Sequence, residues 1–263
     1  MAEASPRAHC ASPDAGGVVV CEVEDRRVRL VAGDGTAGSG WPPPGWRLIH
    51  YPWLETDDPG PCIRHRSRWI EPDERDPTKE LEDQFDEDVA NLGEEGSNLE
   101  DCPPIASDQP PDTGEVIEEF LGRVVARLPE AEPEVPPGGQ ALTGLAAYLV
   151  TAERSLHLDV TESLDLAAGA VTANATGEGA FSVDWGDGTE ARGPYDFVGR
   201  PYPDGEVVHV YDHTGEVEVQ VTDHWAFELR VPGLPPLDLD FEVDAEPLKV
   251  LVEQLLTVRL PTS

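Results

Sequence analysis

The stretch Val183-Asp184-Trp185-Gly186-Asp187-Gly188-Thr189 constrains the fold of this chain more than any other. Ala180 and Phe181 lead into it. Further on, His209-Val210-Tyr211 opens a segment in which Val217, Val219 and Val221 alternate with polar residues after Gly215. Alternation at period two puts successive side chains on opposite faces of a strand. Gly186 and Gly188 reach backbone angles closed to other residues, so the chain can turn tightly between the two segments. Asp187 suits a carboxylate that accepts from turn amides, and Trp185 suits a ring packed in or beside a core. The segment therefore predicts strand, turn and strand.

The same pattern continues on both sides. Short apolar or alternating runs occur at Gly144 to Val150, Ser155 to Asp159, Leu164 to Leu166, Val171 to Ala175, Phe227 to Val231 and Leu237 to Val243. Turn-forming residues separate them, which predicts an antiparallel β-sandwich of many short strands. Leu248 to Leu260 reads as a helical turn followed by a last strand, Leu255 to Leu260.

These residues resemble the polycystic kidney disease (PKD) repeat. The resemblance is carried by Asp184, Trp185, Gly186, Asp187 and Gly188, then His209 and Tyr211, then Gly215 and the valine alternation. It is strongest over 155–232 and is compatible with a domain spanning 140–263. There are departures: Val183 and Trp185 stand where the family usually has tryptophan and phenylalanine, Val217 replaces a tyrosine, and the loop from Ala191 to Glu206 is long. The resemblance implies an immunoglobulin-like β-sandwich in which His209 and Tyr211 are structural. It implies a role in protein–protein or protein–carbohydrate contact at the cell exterior. It also raises calcium binding by Asp184, Asp187 and Glu190, with Asp204 or Asp223 completing the shell. Order and composition more widely resemble exported actinobacterial proteins that carry a single PKD-like domain.

The first half of the chain has a different character. Residues 1–112 read as an irregular α+β, acidic arm, followed by a helix and Pro-rich linker over 113–139 and the sandwich over 140–263. Val18 to Val31 predicts a hairpin around Glu24-Asp25. Trp41, Trp46, Trp53 and Trp69 lie among Arg47, Arg64, Arg66 and Arg68, a combination that serves either as the core of a small region or as a stacking surface for a sugar or peptide. Asp76-Pro77 starts a helix with Leu81, Phe85, Val89 and Leu92 on one face and carboxylates on the other, and Gly93 ends it. A second helix begins after Thr113, carries a broad apolar stripe from Val116 to Leu128, and is stopped by Pro129.

Cys10, Cys21, Cys62 and Cys102 contain no Cys-x-x-Cys pair, which favours two disulfides over zinc. Three pairings are open, and Cys10–Cys21 with Cys62–Cys102 leaves the shortest loops. Any such staple is expected in the arm and not in the β domain.

With 53 acidic against 18 basic residues the formal net charge is −35, which opposes nucleic acid and anionic membranes. No apolar run approaches the roughly 18 residues that a membrane helix needs. No nucleophile elbow, phosphate loop, dinucleotide fingerprint or metalloprotease helix is present. The expectation is a non-enzymatic, extracellular or cell-surface protein without a cofactor, calcium aside, whose partner is a protein or a glycan. A polysaccharide-binding accessory using Trp41 to Trp69, and a subunit of a surface appendage, are the rivals.

Overall fold

The computed structural model describes residues 8–10, 19–23, 26–31, 42–56, 61–93, 96, 99–102, 110–167 and 169–254. The expected strand Leu255 to Leu260, Trp41 and the turn residues Glu24 and Asp25 lie outside them. The fold is mainly β, antiparallel but for one pair of strands, with two helices among the described residues.

Its largest sheet is a curled half-barrel built around two long strands, β9 (Gly169–Asp184) and β12 (Gly215–Arg230), paired antiparallel from Gln220↔Asp184 to Arg230↔Asn174. The sequence breaks each of these into two short runs, and the structure makes each continuous. The interruption in β9 is Gly177-Glu178-Gly179, and a Cβ at Gly177 would lie 2.4 Å from the Phe227 ring, while one at Gly179 would lie 3.0 Å from Trp225. Two large rings on β12 therefore lie across two glycines on β9, and the break in hydrophobicity is a packing device.

Every second residue of β12 faces inward, and Asp223 sits in that row between Val221 and Trp225. It divides the interior into two cores. The first gathers Trp225, Phe227 and Leu229 with β8 (His157–Leu166), β13 (Leu237–Asp244) and α2 (Thr113–Val125). The second gathers Val219, Val221, Phe181, Val183, Trp185 and Tyr211. Arg154, only 2% exposed at its side chain, clamps Asp223 at the boundary through contacts of 2.6 and 2.5 Å, donates to Pro129 O at 3.1 Å, and lies 5.9 Å from the centre of the Phe181 ring.

Helix α2 starts at Thr113, one residue earlier than its sequence signature places it. Asp112 caps it by accepting from Glu115 N at 3.0 Å, and Val116, Phe120, Leu121, Val124 and Val125 are fully buried. Its stripe is thus covered within the chain, with Phe120 edge-on to Phe227 at 5.8 Å. The helix ends at Val125, four residues before Pro129, which has no N–H to give Val125 O; Arg26 donates to that oxygen at 3.0 Å and to Leu128 O at 3.4 Å. A cation at the last carbonyls opposes the negative end of the helix dipole.

That arginine belongs to the N-terminal hairpin, β2 (Val19–Val23) and β3 (Arg26–Val31), which forms as its alternation predicts. β3 pairs with β13, from Val28↔Val243 to Val31↔Asp240, so the hairpin extends the large sheet. β1 (His9–Cys10) pairs with β2, and Cys10, bonded to Cys21, lies directly opposite it. This corrects the expectation that both staples are confined to an arm: Cys21 is buried in the first core. The second disulfide, Cys62–Cys102, serves a separate two-stranded hairpin, β4 (Arg47–Glu55) and β5 (Cys62–Ile70), on which α1 (Thr78–Asn91) packs. α1 begins at Thr78 with Pro77 at the cap position, one residue later than expected, and Asp76 accepts from Thr78 N at 3.0 Å. Leu81, Phe85, Val89 and Leu92 are half-buried, and Glu82, Asp83, Asp86 and Glu87 face solvent.

The Pro-rich stretch from Glu130 to Gly139 is not a free linker. Ala131 and Val135 are buried in the second core, and Glu134 exchanges backbone hydrogen bonds with Val150. The chain then forms β6 (Gln140–Leu142), β7 (Ala146–Tyr148), β10 (Arg192–Tyr195), β11 (Val208–Val210) and β14 (Leu248–Glu253). Leu248 to Glu253 is thus a strand where a helical turn is expected, because it continues β13 along one edge of β12. Between the pairs Thr222↔Asp244 and Val219↔Leu248, three steps on β12 face four on its partner. The extra residue makes a bulge at Ala245 to Pro247, where the sheet bends from one core to the other. Gln220 spans the bend by donating to Ala245 O at 2.8 Å.

Candidate functional site

Three places draw attention from sequence: the motif turn, the tryptophan hairpin and the long loop after the motif.

The motif turn is closed upon itself. Asp184 accepts from Gly186 N at 2.9 Å. One Asp187 oxygen accepts from Thr189 N and Oγ1 at 3.1 and 2.7 Å, and the other meets His209 Nε2 at 2.6 Å. Burial pushes the Asp187 carboxyl up, but the bonds from Thr189 and His209 outweigh it and hold the group at about 2. An ionised carboxylate can only accept, so His209 Nε2 is the donor in this contact. The imidazole stacks on Trp185 with centroids 5.0 Å apart, and Tyr211 stands edge-on to it at 4.7 Å and donates to Trp185 O at 3.3 Å. Burial, with the Asp187 charge, raises the Tyr211 phenol, which keeps it a donor.

Gly186 has φ +71°, and a Cβ there would lie 2.2 Å from Glu218 O, so both conformation and space require glycine. Gly188, at φ +82°, faces open space, and Gly215 begins β12. Of the calcium candidates, Asp187 has both carboxylate oxygens engaged and Asp184 has one, while Asp184 and Glu190 are exposed. Among the described residues no group of three or more histidines, cysteines or acids is placed to hold a metal ion. Asp223 is held by Arg154, and Asp204 lies in the loop beyond β10.

The tryptophans are dispersed. Trp46 precedes β4, and Trp53 and Trp69 are each half-buried. The register Trp53↔Arg64 and Leu48↔Trp69 puts these two on opposite faces of the hairpin. Trp69 packs against the first core, and Trp53 has the Arg66 guanidinium 4.8 Å from its ring centre.

A different apolar surface emerges around the long loop. β7 and β11 pair with Tyr148 opposite Val208 and Ala146 opposite Val210. Ala147 and His209 point inward and are buried, so Tyr148 and Val210 face out. Tyr202, 74% exposed, meets Tyr148 edge-to-face at 5.8 Å, and Val210, on the same face of the pair as Tyr148, is about half exposed. The outward register of β7 against β11 is what the sequence could not supply, because their pairing is not local.

Neither family models, nor characterised proteins, nor solved structures match this chain.

The outer face of the large sheet carries one further array. Ser182 Oγ lies 2.8 Å from His224 Nε2, His224 Nδ1 lies 3.2 Å from Glu242, and Arg29 donates to Glu242 at 3.0 Å and to Asp244 at 2.9 and 2.8 Å. The order hydroxyl, imidazole, carboxylate is that of an acyl-transfer nucleophile. These residues stand on four neighbouring strands of an open sheet face, Ser182 on β9, His224 on β12, Glu242 on β13 and Arg29 on β3. Side chains across adjacent strands bond in this way to fix register, and here they tie the N-terminal hairpin to the sheet.

Proposed function

We propose that this chain is a non-enzymatic binding or assembly protein of the cell exterior, built on a PKD-like, immunoglobulin-like sandwich. The observation that carries the reading is the exposed Tyr202 lying edge-on to Tyr148, with the exposed Val210 on the same outward face of β7 and β11 as Tyr148. Contiguous exposed apolar surface costs solubility and marks contact sites. Tyrosine suits such a site because it offers rigid area with a polar tip. The order of the motif, the His-x-Tyr and the alternating strand supports the fold assignment, and two disulfides suit an oxidising compartment. The Asp187–His209–Trp185 core of the motif turn supports the domain.

A polysaccharide-holding role has one observation of its own, the Arg66–Trp53 stack on a half-exposed ring. Co-sedimentation with insoluble polysaccharides and analytical ultracentrifugation of the protein alone test both readings. Retention on a polymer, or self-association, that disappears in Tyr202→Ala/Val210→Ser supports the main reading. Loss only in Trp53→Ala transfers the role to the hairpin. Turnover of an ester, glycoside or peptide substrate without either form of binding overturns both.

A further inference from the structure

The seam between the two cores opens to solvent as a groove of about 960 Å³. One wall is the crossing after α2, residues 129–134, and the other is the bend between β13 and β14, residues 244–249. Each wall runs for six residues, so an extended segment of the same length, about 20 Å, can lie between them. Leu128, Ala131 and Val243 are buried and supply apolar lining, to which the half-buried Ala245 and Leu248 add. At the base, Asp223 is neutralised by Arg154.

Charge on the rim is unbalanced. Glu130 is held by Arg26, and Asp244 by Arg29. Glu132, Glu134 and Glu246 are exposed, and none has a basic partner within 4.0 Å among the described residues. They flank the groove from both walls. The basic lining is Arg26, already engaged, with Arg27 and Lys249, whose Nζ is 3.8 Å from Glu216. Carboxylates on both sides of an apolar channel suit a ligand with aliphatic stems and cationic heads, because lysine and arginine lay their methylenes on apolar surface and keep the charge at the rim.

We propose that this groove is a docking site for an extended, lysine- or arginine-bearing peptide segment of a partner protein. The segment lies along the bulge at Ala245 to Pro247, with its cationic heads at Glu132, Glu134 and Glu246. This site is distinct from the tyrosine face on β7 and β11, and it stands whether or not that face binds anything.

A net charge of −35 attracts any cation, so the test must separate a place from a field. Fluorescence anisotropy with a labelled nine-residue peptide of alternating arginine and leucine, at about 150 mM NaCl, measures binding where long-range attraction is screened. Glu132→Lys/Glu246→Lys is compared with Glu82→Lys/Glu87→Lys on the exposed face of α1, which makes the same change in total charge. The groove pair is expected to weaken binding at least about tenfold and the α1 pair less than about twofold. Glu132→Gln/Glu246→Gln, checked by circular dichroism, repeats the comparison without charge reversal. Equal losses in the two charge-reversal pairs, or no binding by the wild type, overturn the proposal. Spermine binding as tightly as the peptide, with the same losses, overturns it in favour of a small polyamine.

Discussion

At the scale of single residues, the motif turn separates two requirements for glycine. Gly186 needs both a positive φ and the absence of a Cβ, which would meet Glu218 O at 2.2 Å, whereas Gly188 needs only the positive φ. Left-handed backbone costs a non-glycine residue about 1–2 kcal/mol. Gly188→Ala is therefore expected to lose about 1 kcal/mol in urea unfolding. Gly186→Ala is expected to lose more than about 3 kcal/mol, because the backbone of β12 must also move. Equal losses refute this assignment. Asp187 gives a pH signature. Its carboxyl ionises at about 2 in the fold against an ordinary 3.8, so the folded state favours the charged form. The resulting stability is present above about pH 4 and disappears as pH falls through about 2, and solvent screening limits it to the order of 1 kcal/mol. Asp187→Asn lacks this dependence. The gap in unfolding free energy between wild type and variant should narrow between about pH 5 and pH 2, and a constant gap contradicts it.

At the scale of elements, β9 and β12 are each longer than the runs visible in sequence, and the Arg154–Asp223 pair sits where they pass from one core to the other. A buried ion pair is poor evidence of net stability, but removing one partner leaves a charge without compensation. Asp223→Ala and Arg154→Ala are each expected to cost about 3–5 kcal/mol, while Arg154→Met/Asp223→Leu recovers most of the loss. Thermal denaturation of the three variants decides this. A double variant as unstable as the singles would mean that the bond from Arg154 to Pro129 O matters more than the pair. Legibility also varied by element. Helix α2 could be placed to within a residue from Thr113 and its stripe, since 3.6-residue periodicity is local, although the cap proves to be Asp112. Pro129 marks its end only to within a turn, and the side chain that reaches Val125 O there, Arg26, is 99 residues away in sequence.

At the scale of the molecule, acidic residues far outnumber basic ones, and arginine is spent on tying distant parts together. Arg26 binds the hairpin to the end of α2, Arg29 binds it to β13, Arg127 binds the turn after α2 to Glu162 of β8, and Arg154 binds the seam. The remaining carboxylates repel one another across the surface, and the Debye length falls from about 30 Å at 0.01 M salt to about 3 Å at 1 M. Raising NaCl over that range is expected to raise the melting temperature, because screening relieves the net repulsion more than it weakens buried pairs. A melting temperature that falls with salt would show that exposed ion pairs outweigh net repulsion.

By itself the sequence determined what depends on near neighbours. The turn at Gly186 and Gly188, the hairpin of β2 and β3, the starts of both helices to within a residue and the shortest-loop cysteine pairing all follow from spacing within a few tens of residues. The tertiary structure alone decided that the N-terminal hairpin joins β13, that β14 continues β13 past a one-residue bulge, and that Gly177 and Gly179 receive the Phe227 and Trp225 rings. It also decided which candidates lie together, separating Trp53 from Trp69 and bringing Tyr202 onto Tyr148. Each of these outcomes is a strand register or a ring contact between distant segments. Period-two alternation shows which residues share a face of a strand, while the neighbour that strand meets is chosen by packing across the whole chain.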